Sequence, residues 1–234
     1  MTSAAPVIPV RTEVAEPRAE VLLQPIAAPS ILGLYGFAAA TFMVAANIAH
    51  WYGGATSPEY LAPFAALFGG VAQFSAGMWS YKARDGLASA MHGMWGSFWI
   101  AYGLLNLGFI TGALHKPAGA FPGFAYWFIG LAAITWVGCF AATAASKALT
   151  AVLGFLAAGS TAMAVGQFIG SDGWDVLAAY LFIVSAVLAW YTASALMLEG
   201  SFGRAVWPVG KSAHAASAPK FNPGVGEPGV IQGQ

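Results

Sequence analysis

Charge is what this chain has least of. Only 8% of its 234 residues are Asp, Glu, Lys or Arg, against about a quarter in an ordinary soluble domain. The few charges present are also segregated. Six stretches contain none of them: residues 31–49, 60–81, 87–110, 124–145, 148–169 and 176–198. Cysteine is nearly absent as well. Cys139 stands alone, which excludes an intrachain disulfide and a thiolate metal cluster. Net charge is zero with no basic block, so nucleic acid is not an expected partner. No nucleophile–base pair, metal-ligand cluster or nucleotide-binding loop is visible, and the Gly-rich segments lie in apolar runs rather than after strands. An enzyme is therefore not expected, nor any cofactor or metal. No Lys lies within an apolar stretch, which excludes a retinal Schiff base.

What the chain does have is length in those apolar stretches. A helix of about 20 residues crosses a hydrocarbon core, and a charge at its centre costs at least about 2.5 kcal/mol. The reading is an all-α, polytopic membrane protein with six transmembrane helices, lying in a cell membrane (the inner membrane in a bacterium). Basic residues give the orientation. Arg11, Arg18, Lys82, Arg84, Lys147, Arg204, Lys211 and Lys220 fall on one side and Lys116 alone on the other. The excess marks the cytosolic side, so both termini are expected there. Trp51, Tyr52, Tyr60, Trp127, Trp174 and Trp207 lie near the segment ends, where such rings prefer the interface.

Three regions follow: a disordered cytosolic arm over residues 1–28, which lacks the apolar core of a signal peptide; a six-helix transmembrane domain over residues 29–210; and a flexible tail over residues 211–234, rich in Gly, Pro, Ala and Ser. The loops are too short for a folded extramembrane domain. Residues 146 and 147 alone are expected to separate the fourth and fifth helices, making them antiparallel neighbours.

Two readings compete for the polar residues within the spans. One is helix–helix glue, with Ser, Thr, Asn and Gln bonding across the bundle. The other is a hydrated, uncharged path. Asn47 and Gln73 are the best path candidates, because a large amide in hydrocarbon needs several partners; Ser97, Ser160 and Thr161 are smaller ones. His92 is the only strongly titratable side chain well inside an apolar stretch, and His50 falls at the opposite membrane face, which argues against a bis-His haem.

The motifs resemble those of a known family. Residues 28–37, Ala-Pro-Ser-Ile-Leu-Gly-Leu-Tyr-Gly-Phe, are similar to the N-P-A-P-L-G-L signature that opens helix 1 of the acetate uptake transporter family. Pro29, Leu32, Gly33 and Leu34 carry the match. Residues 68–79 resemble the family's G-G-x-A-Q-x-x-A-G segment, residues 96–99 its G-S-F-W block, and residues 201–210 its F-G-R-x-x-x-P-x-G closure. This chain departs at the signature's Asn, here Ala28, and its second Pro, here Ile31. The resemblance implies a membrane transporter or channel-like permease for acetate and related small monocarboxylates, and for succinate. It implies a homo-hexamer with a pore in each protomer. It also implies a hydrophobic gate, whose Phe falls on Phe37, its Tyr on Trp95 and its Leu on Leu156. Gln73 matches the family's helix 2 glutamine. Beside the small carboxylate and the lipid bilayer, two other functions stay open: a small-solute channel of other selectivity, for ammonia or other anions, and an oligomeric membrane scaffold or accessory subunit without transport.

Overall fold

The computed structural model describes residues 26–54, 56–117 and 121–217. The expected arm over residues 1–28 therefore lies almost wholly outside the described residues, as does the tail from residue 218 onward.

Six long helices carry the chain: α1 (Pro29–Ile48), α2 (Ser57–Lys82), α3 (Gly86–Ile110), α4 (Pro122–Ala142), α5 (Lys147–Ile169) and α6 (Asp172–Phe202). A short α7 (Ala213–Ser217) follows. There is no strand among the described residues, only one isolated bridge, Ser146 to Lys211. Five of the six are long and apolar enough to cross a membrane. The sixth, α3, has the length at 25 residues, but His92, Asn106 and its serines and glycines dilute its hydropathy. It contains no Asp, Glu, Lys or Arg and packs along α2, so it spans with the others. The protein is a multi-pass membrane protein. Many large apolar side chains face outward, including Phe64, Leu67, Val71, Val137 and Phe140, as a lipid-facing surface requires.

Helix α4 packs on α5, α5 on α6, α6 on α1, α1 on α2 and α2 on α3, while α3 and α4 touch only lightly. Small residues make the close approaches. A Cβ on Gly77 would lie 2.6 Å from the Gly93 amide nitrogen, so α2 and α3 meet nearly backbone to backbone. A Cβ on Gly36 would collide with the Phe68 carbonyl oxygen.

Three boundaries differ from the sequence reading. Helix α2 is not regular: Ala65–Ala72 is a π-helical segment within it. Pro63 lies just before and contributes no N–H to the ladder, and the widened turn presents the Phe68 carbonyl to Gly36. Helix α4 stops at Ala142 rather than residue 145. Residues 143–146 make the connection, and Ser146 caps α5 by accepting from the Leu149 amide at 3.2 Å. Helix α6 runs to 31 residues, about four beyond the expected span at each end. That is about 46 Å at 1.5 Å per residue, longer than the bilayer core of about 30 Å. Asp172 and Asp175 limit the apolar stretch but not the helix, since carboxylates in a first turn favour its positive end. Gly203, at φ 65°, ends it.

Beyond Pro208 the chain returns to the end of the bundle where α4 joins α5. The Lys147 and Ala148 amides donate to the Gly210 and Val209 carbonyls at 2.9 and 3.0 Å, and the Ser212 amide to the Ala145 carbonyl at 3.0 Å. Lys211 pairs with Glu199 at 2.6 Å. The strap thus covers the α4–α5 connection.

Candidate permeation site

Two cavities lie end to end within the bundle. The outer one, about 630 Å³, is walled mainly by rings from α3, α4 and α6, among them Phe98, Trp99, Tyr102, Phe124, Trp127 and Phe182. Thr41, Asn106 and Gln167 are its polar side chains. The inner one, about 480 Å³, is lined by Leu34, Phe37, Gln73, His92 and Thr192, with Asp85, Ser146 and Lys211 also in its wall. Two side chains belong to both walls, Trp95 and Leu156.

Trp95 is held from three directions. Its Nε1 donates to the Thr135 hydroxyl at 3.0 Å, and that hydroxyl donates in turn to the Leu131 carbonyl at 2.6 Å. The indole meets Phe37 edge-on, with centroids 6.3 Å apart, and Phe98 at 5.3 Å. Leu156 is fully buried opposite, on α5. Phe37, Trp95 and Leu156 come from three different helices, and all three are in one apolar core cluster. The sequence reading placed these three at a constriction; in the fold Trp95 and Leu156 line both cavities, and Phe37 lines the inner one against Trp95.

The polar candidates scatter. Gln73 is 2% exposed and lines the inner cavity, and its Oε1 has no hydrogen-bond partner. Asn47 lines neither cavity; its side-chain amide donates to the Tyr52 carbonyl at 2.9 Å and holds the α1–α2 loop. Ser97, Ser160 and Thr161 also lie outside both walls and donate back to the carbonyls of Gly93, Leu156 and Ala157. Thr161 also accepts from the Trp136 indole at 3.2 Å. At the signature, Gly33 and Leu34 are buried, Leu34 lines the inner cavity, and Leu32 is half exposed outside it. Pro29 occupies the first turn of α1, and the neighbouring Ser30 reaches the inner cavity.

Thr41, His92, Asn106, Gln167 and Thr192 are lining residues that sequence reasoning did not assign to the path. The unpartnered atoms would have selected two of them. Five buried polar atoms among the described residues lack a partner: Thr41 Oγ1, Gln73 Oε1, His92 Nδ1, Trp99 Nε1 and Asp175 Oδ1. Thr41 and Trp99 line the outer cavity, Gln73 and His92 the inner. An unpaired polar group in a dry interior is costly, and each cavity wall includes two residues that carry one.

The model of the GPR1/FUN34/yaaH family matches residues 13–209. The chain belongs to that family. Relatives in it include the succinate-acetate/proton symporter SatP of Escherichia coli, 27% identical over 188 residues, which cover 80% of this chain and 97% of that protein. The Saccharomyces cerevisiae ammonia transport outward protein 2 is 27% identical over 171 residues, 71% of this chain. This chain spans 60% of that yeast protein's length. A solved structure described as the bacterial acetate channel SatP has the same fold, with a TM-score of 0.71 at 22% identity over 80% of this chain and 100% of that one. The resemblance carried by residues 28–37 and 68–79 thus extends to family and fold alike.

Proposed function

We propose that this family member is a membrane permease for acetate and related small monocarboxylates, with succinate as a further substrate, passing through a pore in each protomer of a homo-hexamer. One observation carries the reading: the two cavities meet only at Trp95 and Leu156, so a single layer of side chains separates the outer half of the bundle from the inner. With Phe37 beside Trp95, that layer is an apolar gate in its closed state. A methyl group suits it, and no fixed charge of the protein sits there. The names of the relatives, describing acetate, succinate and ammonia movement, supply the substrate class.

Uptake of radiolabelled acetate into proteoliposomes tests this. Purified protein is expected to give saturable uptake that changes in Leu156→Ala and Trp95→Ala. Uptake no faster than in empty liposomes refutes the function. Uptake that neither substitution alters refutes the gate. The yeast relative's name favours one second reading, ammonia conduction, which the same vesicles distinguish by internal alkalinisation on adding an ammonium salt.

A further inference from the structure

One part of the inner cavity wall belongs neither to a long helix nor to a connection between two. Beyond Gly203 the chain leaves α6 as the strap, and Val209, Lys211 and Ala215 of this segment line the cavity. The same cavity reaches Ser30 at the start of α1, Asp85 in the α2–α3 turn and Ser146 in the α4–α5 connection. It therefore extends to the end of the bundle where α4 joins α5, and the strap supplies part of its wall there.

The strap is held unevenly. At its start Gly203 ends α6 at φ 65°, with open space around it. At its far end Gly210, at φ 64°, lies against Lys147, where an added Cβ would be 3.1 Å from the Lys147 Cβ. The Lys147 and Ala148 amides donate to the Gly210 and Val209 carbonyls, and the Ser212 amide to the Ala145 carbonyl. Lys211 pairs with Glu199 at 2.6 Å, both side chains partly in solvent. Between the two ends the Tyr191 hydroxyl donates to the Pro208 carbonyl at 2.7 Å, and the Tyr191 ring stacks on Trp207 with centroids 5.5 Å apart. These ties are single hydrogen bonds, one stacked pair and one solvent-facing ion pair. A segment held so opens locally at a small fraction of the cost of parting packed helices. A pivot with free space at one end and a set of weak ties at the other is the geometry of a lid.

We propose that residues 204–212 form a hinged lid on the inner cavity, pivoting at Gly203 and latched by the Lys211–Glu199 pair and the backbone bonds to residues 145, 147 and 148. Within the permease reading above, solute crosses between the inner cavity and the aqueous phase when the lid is lifted. The lid is distinct from the Trp95–Leu156 layer, so the conduit carries two barriers in series. Because the latch pair faces solvent, high salt screens it and loosens the lid.

A disulfide lock tests this. Ser146 and Lys211 face each other in an antiparallel bridge, flanked by the Lys147-to-Gly210 and Ser212-to-Ala145 bonds. They are thus a non-hydrogen-bonded pair, with Cα atoms about 4.5 Å apart, within the reach of a disulfide. Ala88, buried in the wall of the inner cavity, supplies the reporter as Ala88→Cys in a Cys139→Ala background. The full-length Ser146→Cys/Lys211→Cys protein in detergent is compared oxidised and, separately, reduced and desalted. The readout is labelling at residue 88 by a cationic methanethiosulfonate, followed by mass spectrometry. Locking is expected to slow labelling by about tenfold or more. Without the lock, Tyr191→Phe is expected to speed it by about fivefold and Glu199→Gln by about threefold. Labelling equal in the locked and reduced forms, or absent from both while residue 88 reacts after denaturation, overturns the lid. If the disulfide does not close, Tyr191→Phe and Glu199→Gln decide, and labelling no faster than the parent's in both overturns it. Acetate uptake into liposomes is scored separately. Uptake that stops on oxidation and returns on reduction joins the lid to permeation, and uptake that the lock leaves unchanged refutes its place on the path. Uptake absent from every form refutes the permease reading and leaves the labelling result standing.

Discussion

The proposed gate makes the sharpest quantitative demand, because what holds Trp95 is visible. Two ring contacts at about 1 kcal/mol each and one buried hydrogen bond at about 1 kcal/mol restrain the indole by about 3 kcal/mol. If the swing of that ring is the barrier, each restraint removed accelerates passage by its own factor. At about 1.4 kcal/mol per decade, loss of the whole ring in Trp95→Ala is expected to raise acetate flux by up to about a hundredfold. Thr135→Val keeps the indole and its ring contacts but deprives Nε1 of its acceptor. It is expected to raise flux by about fivefold, the equivalent of one hydrogen bond. The assay is initial-rate acetate uptake at matched protein density, with retention of an entrapped dye to exclude leak. The graded order is the critical result. If both variants are folded and dye-tight, and flux is unchanged or falls, the side chain of Trp95 is not the barrier.

Two further outcomes follow from the packing. Gly36→Ala is expected to lower the melting temperature in detergent, equivalent to about 1–3 kcal/mol of overpacking, because its methyl meets the Phe68 carbonyl. Gly54→Ala, with open space around it, is the control expected to melt like the parent. Ending the chain after Pro208 removes the carbonyls that receive the Lys147 and Ala148 amides. Hydrogen exchange at those two amides is expected to quicken by about fivefold or more, while exchange in the middle of α5 stays as it was. Unchanged protection at both would show that the strap does not hold the α4–α5 connection.

The spans were legible because the bilayer imposes one rule that composition reports directly: no charge in the hydrocarbon. The inner faces were not legible, and for the same reason. A soluble helix advertises its core face by alternating with a polar one, but here lipid and core are both apolar, so periodicity carries little information. Asn47 and Asn106 illustrate the loss. Both are amides in apolar runs, yet Asn47 ties down a loop while Asn106 lines the outer cavity. Thr41 is one hydroxyl among many in the spans, and its significance comes from having no partner. The α6 ends were misplaced because Asp172, Asp175 and Glu199 mark where the hydrocarbon stops, not where the backbone ladder stops. The hold of the strap on the bundle was hidden, and residues 211 and 212 were read as flexible tail, because that hold is made largely by backbone groups that composition does not report. Phe37, Trp95 and Leu156 were assigned by motif alone, and all three lie in one apolar core cluster.

The absence of a fixed cation along the path now has a physical consequence. A carboxylate with a pKa of about 4.5 costs about 3.5 kcal/mol to protonate at pH 7. Burying it ionised in an apolar layer costs several kcal/mol even after relaxation, and more where no cation or donor replaces its water. At the Trp95–Leu156 layer the protein supplies neither, since the indole N–H is already given to Thr135. Protonation is therefore the smaller cost at that layer. Selection for a small acid can then reside in a narrow apolar layer that holds no charged residue.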